Sequence, residues 1–220
     1  MPSTVSGDFS NFPLSIREIF PMVYGEACEL RQAYDVYFYL FMAKEKRTVT
    51  MGEKLGGVLG MFQSLLQDEI FLSIARLTDK DSRAQKNLSL WALLDAIPGA
   101  TSAGFEAKIK DALDQIVKDA KSLRTHRHKR LAHFDLAVSL SSATLPVVTF
   151  KELEDLRGQI ESFLNIFYEE FAQTSILFDA FSSRQITHPA EVTCYKALAY
   201  DLLENEGTLP KNEWKKRTGN

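Results

Sequence analysis

The feature that most limits what this chain can become is a hydrophobic repeat: Leu55, Leu59, Phe62, Leu65, Leu66, Ile70, Ile74 and Leu77 recur at spacings dominated by three and four residues. That period lays them along one face of an α-helix of six or seven turns and is incompatible with the two-residue alternation of a half-buried strand. Such a stripe is stable only when other elements cover it. Two further segments offer matching faces, one through Phe105, Ile109, Leu113 and Ile116, the other through Leu153, Leu156, Ile160, Phe163, Leu164, Phe167 and Phe171.

Three Ser/Thr-x-x-Glu patterns read as helix starts: Ser15-Ile16-Arg17-Glu18, Thr50-Met51-Gly52-Glu53 and Thr149-Phe150-Lys151-Glu152. They predict helices over residues 19–45, with Pro21 in the opening turn, from the Thr50 box to near Thr78-Asp79, and from the Thr149 box through Phe171. A short helix over 89–97 ends at Pro98-Gly99, Thr101 or Ser102 opens the next, and a last one spans 189–203. His188, just before Pro189, belongs to the turn that starts it. Residues 80–87 read as a polar linker and 137–148 as a loop. With no convincing alternating run, the expected class is an all-α bundle.

At 220 residues the chain is long enough for one domain with a large core, taken here as 14–205 between a flexible start (1–13) and a flexible tail (206–220). Cys28 and Cys194 belong to no ligand or disulfide pattern, which points to a reducing, cytoplasmic setting. The first residues lack the charged and apolar regions of a secretory signal. The richest apolar run, 36–43, is too short to span a bilayer, so no membrane association is expected. The aromatic series Tyr34, Tyr37, Phe38, Tyr39 and Phe41 reads as core packing rather than base stacking, and Trp214-Lys215-Lys216-Arg217 as a solvated end.

Against a formal net charge of -3, residues 118–130 carry six Lys or Arg and one acid, Asp119, and three of the four histidines lie at His126, His128 and His133. A mildly acidic total argues against indiscriminate coating of nucleic acid, but a local phosphate site is compatible with it. Periodicity leaves open whether 123–134 continues the preceding helix or starts another. On an ideal helix His126, Arg130 and His133 fall within about 60° of one another, with Arg127 about 120° from His133.

A metal site is one reading, with three imidazoles and Asp135 as donors. Geometry disfavours it: His126 and His128 point apart, and the permanent cation Arg130 separates the two histidines that align. A solvated basic face, with an arginine paired to Asp79 or Asp135, is a second. Work on a phosphodiester is the third. A guanidinium of Arg127 or Arg130 matches phosphate oxygens, supported by His126, His128 and Lys129. A cation about 6 Å from His133 would lower its pKa by roughly half a unit to two units, leaving a neutral imidazole able to accept a proton from a ribose 2'-hydroxyl. That chemistry needs no metal or other cofactor.

Arg127-His128-Lys129-Arg130-Leu131-Ala132-His133 fits the Arg-(four to six residues)-His motif of the HEPN superfamily. Arg130-Leu131-Ala132-His133-Phe134-Asp135, with Ile74-Ala75-Arg76-Leu77-Thr78-Asp79 and Asn87-Leu88-Ser89-Leu90 upstream, resembles the abortive-infection AbiU-type branch over about residues 19–181. The resemblance implies an up-and-down HEPN-type bundle, here with an additional C-terminal helix. It also implies a homodimer in which two motifs meet across a cleft as a composite ribonuclease site, acting as a toxin or in phage defence. Arg127 and His133 are then the motif pair and His128 the polar residue after the arginine. Apart from the resemblance, Arg76, Asp79 and Asp135 are candidates for groups behind the site: Asp79 either orients an arginine of the motif or is only a helix-terminal acid in an intramolecular ion pair. Some relatives carry a tyrosine two residues after the histidine that a partner antitoxin modifies; this chain has Asp135 there, so an antitoxin partner is expected only by analogy. A non-catalytic helical RNA-binding or interaction module is the alternative.

Overall fold

The computed structural model describes residues 9–42, 45–80, 87–99, 101, 103–132, 140, 144–176, 178 and 207, with backbone alone for 45–56 and 130–132. Among them every regular element is helical. Pro13 leads into a single turn, α1 (Leu14–Arg17), followed by α2 (Phe20–Tyr37). Pro21 sits in the first turn of α2, where its missing N–H is no loss. The Ser15 pattern is not the expected cap: Ser15 lies inside α1, and its hydroxyl donates to the Ala96 carbonyl at 2.7 Å. α2 passes into a π-helical turn, Phe38–Met42.

α3 (Glu45–Thr78) runs for 34 residues. It begins well before the Thr50 pattern, which therefore lies within a helix rather than at its start. A Ser/Thr-x-x-Glu spacing caps only where backbone N–H groups are unpaired, and inside a continuing helix they are already bonded. α4 (Leu90–Asp95), α5 (Ala103–Asp119) and α6 (Lys121–His126) follow, and α6 continues into a second π-helical turn, Arg127–Ala132. α7 (Phe150–Ala172) starts at the expected Thr149 box: the Thr149 hydroxyl accepts from Glu152 N–H at 3.2 Å, and the Glu152 carboxylate accepts from Thr149 N–H at 2.6 Å.

The chain divides into two compact units, residues 1–31 with 68–178, and residues 32–67 with 179–220. In the first, the predicted faces of α5 and α7 close on one core with the end of the α3 stripe: Ile70, Ile74 and Leu77 of α3, Phe105, Ile109, Leu113 and Ile116 of α5, and six residues of α7 from Leu153 to Phe167 are buried, whereas Phe62 and Leu65, expected on the same covered face of α3, are half exposed. Each such side chain contributes roughly 1.5–3 kcal/mol over leaving it in water. Phe171 keeps an inner position at the edge, its ring 5.5 Å from Phe105. Phe12 is buried although it precedes the first helix, with ring contacts to Phe20 and Tyr168. The same core holds an ion-pair network in which Glu161 accepts from Arg31 at 3.1 Å and from Arg157 at 2.6 Å.

In the second unit Tyr34, Tyr37, Phe41 and Leu59 are buried, so this part of the aromatic series does pack a core. Tyr37 Oη accepts from Gln67 Nε2 at 2.7 Å. The expected 189–203 helix, His188, Cys194 and the Trp214 tail lie outside the described residues.

Candidate phosphate-binding groove

The basic segment is neither a continuation of α5 nor one long helix. α5 stops at Ala120, whose side chain is buried, and α6 starts afresh with Leu123 packed in the core. Lys121, Arg124 and His128 follow at three- and four-residue spacing. The π turn then widens the backbone, so residues no longer repeat at 100° and the ideal-helix stripe does not apply from Arg127 onward.

Lys118, Lys121, Arg124, Arg127, His128 and Lys129 line an open groove of about 550 Å³. Asp79 also lines it, and its carboxylate, 17% exposed, accepts from Arg127 Nη1 at 2.9 Å and lies 3.4 Å from Arg124 Nη2. Asp79 is well placed to hold both guanidiniums because it follows the last residue of α3. There Thr78 Oγ1 donates back to Ile74 O at 2.8 Å, Trp91 Nε1 donates to Thr78 O at 3.3 Å, and Lys80 Nζ sits 4.6 Å from the Trp91 ring centre. The negative end of the α3 dipole also favours cations at this spot. Arg127 and Asp79 form a shared wall with a smaller cavity of about 240 Å³ that Glu26, Arg76, Asn87 and Leu88 complete.

Arg76 faces acids rather than the groove. Its guanidinium pairs with Glu26 at 2.6 Å and Glu69 at 2.8 Å and donates to Ser73 Oγ at 2.9 Å. Burial opposes its charge, yet its hydrogen bonds to the Glu69 and Glu26 carboxylates outweigh this and raise its pKa. His126, expected to support a phosphate, is engaged in packing instead. Its Nε2–H donates to the Pro146 carbonyl at 2.6 Å and its ring meets Phe71 edge-on at 5.2 Å, which ties α6 to the segment that leads into α7 and to α3. His128 and Lys129 do line the groove. The Arg130 side chain, His133 and Asp135 lie outside the described residues.

Three groove residues went unassigned in the sequence reading: Lys118, Lys121 and Arg124. Their three-residue spacing ahead of Arg127 was the available signal. Another cavity, of about 580 Å³ between α5 and α7, is bordered by Asp119, Glu152, Glu154 and Asp155 and is ill suited to an anion. Among the described residues no group of His, Cys, Asp and Glu is arranged to hold a metal. Among the described residues the stretch Gly57–Thr78 is long and apolar enough to cross a bilayer by length and composition alone; Ile70, Ile74 and Leu77 at its end are core residues, while Val58, Met61, Phe62 and Leu65 at its start are exposed.

An all-α fold carrying a cationic groove around the arginine of an Arg-x5-His motif defines the class to which the chain belongs. The family model HEPN_AbiU2, described as AbiU2, matches residues 18–188, more than three quarters of the chain, which is therefore a member of that HEPN family. No curated protein and no solved structure matches it.

Proposed function

We propose that the protein is a metal-independent endoribonuclease whose site is assembled from two copies of the 127–133 segment, acting in the cytoplasm as a toxin or in abortive infection. The observation that carries this reading is the position of Arg127, the motif arginine, on the wall of a groove with four other permanent cations and oriented by Asp79. A guanidinium so placed can grip a phosphate in a bidentate fashion and stabilise the charge that builds on its oxygens during displacement. Neutral His133 accepts the proton of a ribose 2'-hydroxyl, whose oxygen attacks the adjacent phosphorus. The bond to the 5'-oxygen breaks, that oxygen takes a proton, and the products are a 2',3'-cyclic phosphate and a 5'-hydroxyl end. A two-fold pair of motifs supplies one neutral histidine to remove the first proton and a second, in its protonated imidazolium form, to deliver the other.

Purified protein should cleave RNA in EDTA, and His133→Ala or Arg127→Ala should lower the rate at least a hundredfold with the helical signal unchanged. Equal cleavage by wild type and both variants refutes the assignment. RNA binding that weakens with salt, with no cleavage by the wild type, would instead assign the groove to a binding module. An antitoxin would act by covering this groove, and co-expression that restores growth identifies one.

A further inference from the structure

The small cavity that shares a wall with the groove is not accounted for by phosphate binding. It holds about 240 Å³ and is lined by Glu26 of α2, Arg76 and Asp79 at the end of α3, Asn87 and Leu88 before α4, and Arg127. All six belong to the first compact unit. The volume falls below the roughly 300–1,000 Å³ of pockets for drug-sized molecules and suits one planar ring system. Phosphate asks for cations on every side, yet this cavity sets acids against its guanidiniums.

The Arg76 side chain is 42% exposed, where an arginine ordinarily keeps its rotamer freedom, but two carboxylates and a hydroxyl hold it in one place. Its Nε and Nη2 bond Glu26, Glu69 and Ser73, and its Nη1 makes no hydrogen bond among the described residues. Glu26 receives Arg76 on Oε1, and among the same residues its Oε2 accepts none. A fixed donor and a fixed acceptor thus stand side by side in a cavity where Leu88, 41% exposed, offers apolar contact to a ring.

We propose that this cavity is a base-selecting subsite that takes a guanine of the RNA strand whose phosphate lies on Arg127. One ribose separates a nucleotide's phosphate from its base, and Arg127 with Asp79 borders both groove and cavity, so one nucleotide can occupy the two together. Single strands are read in this way, by hydrogen bonds to the edge of a base turned out of the stack. The guanine edge places the O6 acceptor beside two adjacent donors, N1–H and the N2 amino group. The Arg76 guanidinium matches O6, and the Glu26 carboxylate, an acceptor only, matches the two donors. Adenine, cytosine and uracil carry no two adjacent donor atoms on that edge, so each leaves a charged group unmatched. Discrimination of about tenfold or more follows from one such contact. Selection of the cut rests on the ribonuclease reading, whereas affinity of the cavity for guanine does not.

Calorimetric titration of the full chain with the four 5'-mononucleotides should give GMP a dissociation constant at least tenfold below those of AMP, CMP and UMP. A fully 2'-O-methylated oligouridine octamer, which cannot be cleaved, should bind at least tenfold more tightly with one guanine at its centre than with adenine or cytosine there. On unmodified RNA every cut should fall next to a guanine, always on the same side of it. Glu26→Gln should bring the guanine-to-adenine ratio in the octamers to within twofold of one. Its thermal midpoint should fall by no more than ~4 °C, because Glu69 still holds Arg76. Arg76→Lys, which keeps the charge but loses the guanidinium fork, should lower the ratio as well. Equal affinity for the four octamers overturns the proposal, as does a guanine preference that survives Glu26→Gln. Preference for GMP with none in the octamers assigns the cavity to a free nucleotide and also overturns it. Cleavage without base preference removes the subsite and leaves the ribonuclease reading standing. If the wild type does not cleave, that reading falls, and the octamer titration still decides whether the cavity takes guanine.

Discussion

Asp79→Asn tests how the groove is organised, because it deletes one charge while preserving shape. In the native protein the Asp79 carboxylate is shared between Arg127 at 2.9 Å and Arg124 at 3.4 Å. Both guanidiniums are about two-fifths exposed, so solvent screens each pair, and exposed pairs are worth about 0.2–1 kcal/mol. With Asp79 itself largely shielded, the folding free energy should fall by about 1–2 kcal/mol, read from urea unfolding. RNA binding should change in the opposite sense. Freeing two cations for phosphate steepens the slope of log affinity against log salt by roughly 0.7 per added contact, thus by about 0.7–1.4 for single-stranded RNA. Cleavage should fall about tenfold, equivalent to roughly 1.4 kcal/mol of transition-state stabilisation, because Arg127 is no longer held in one orientation. Asp79→Glu, which keeps the charge, should recover part of the rate. Tighter binding joined to slower cleavage marks a positioning role. A loss of stability with unaltered salt slope and rate refutes it, as does faster cleavage, which would make the carboxylate a competitor for phosphate.

Other expectations follow from the core. Glu161→Gln removes the carboxylate shared by Arg31 and Arg157, all three side chains being about 15% exposed, and should cost about 3–5 kcal/mol in urea unfolding. Thr149→Ala should cost about 1 kcal/mol by deleting the α7 cap. In that cap the Thr149 N–H holds the Glu152 pKa below its usual value, so its contribution is present above the ordinary carboxylate range and is lost as pH falls through the depressed folded value. Burial pushes the Cys28 thiol up to about 11, against the lowering effect of its hydrogen bond with Tyr24. Cys28 should therefore resist iodoacetamide at pH 8. Its pairing of raised folded and ordinary unfolded pKa is fully stabilising below about pH 9 and is lost as pH rises through 11; labelling as fast as a free thiol would contradict this.

Periodicity is a local property, and it was legible wherever a helix turns one apolar face to a core. The three- and four-residue steps from Phe105 to Ile116 and the repeat from Leu153 to Phe167 became buried faces of α5 and α7, and the Thr149 box became a real cap. The same pattern at Ser15 and Thr50 did not mark a start, because a cap depends on whether the preceding backbone is already helical. The site shows a similar division. Its motif arginine, His128, Lys129 and Asp79 could be named from residue order, while Lys118, Lys121 and Arg124 were visible only as part of a basic run; that Asp79 meets Arg124 and Arg127 depends on where α3 ends against α6 and the turn after it, 45 and 48 residues further along the chain.

By itself, then, the sequence determined the all-α class, the α5 and α7 faces that make the core, the family and the concentration of positive charge in one segment, since each of these follows from the spacing and kind of neighbouring residues. Only the tertiary structure decided that His126 would be drawn onto Pro146 and Phe71, that Arg76 would turn to Glu26 and Glu69, and that the Val58 to Leu65 stripe would be left outside its own core. The physical reason is that a charge or an apolar stripe selects its partner among groups brought near by folding, and no local spacing records which of several acids, carbonyls or helix faces will arrive there.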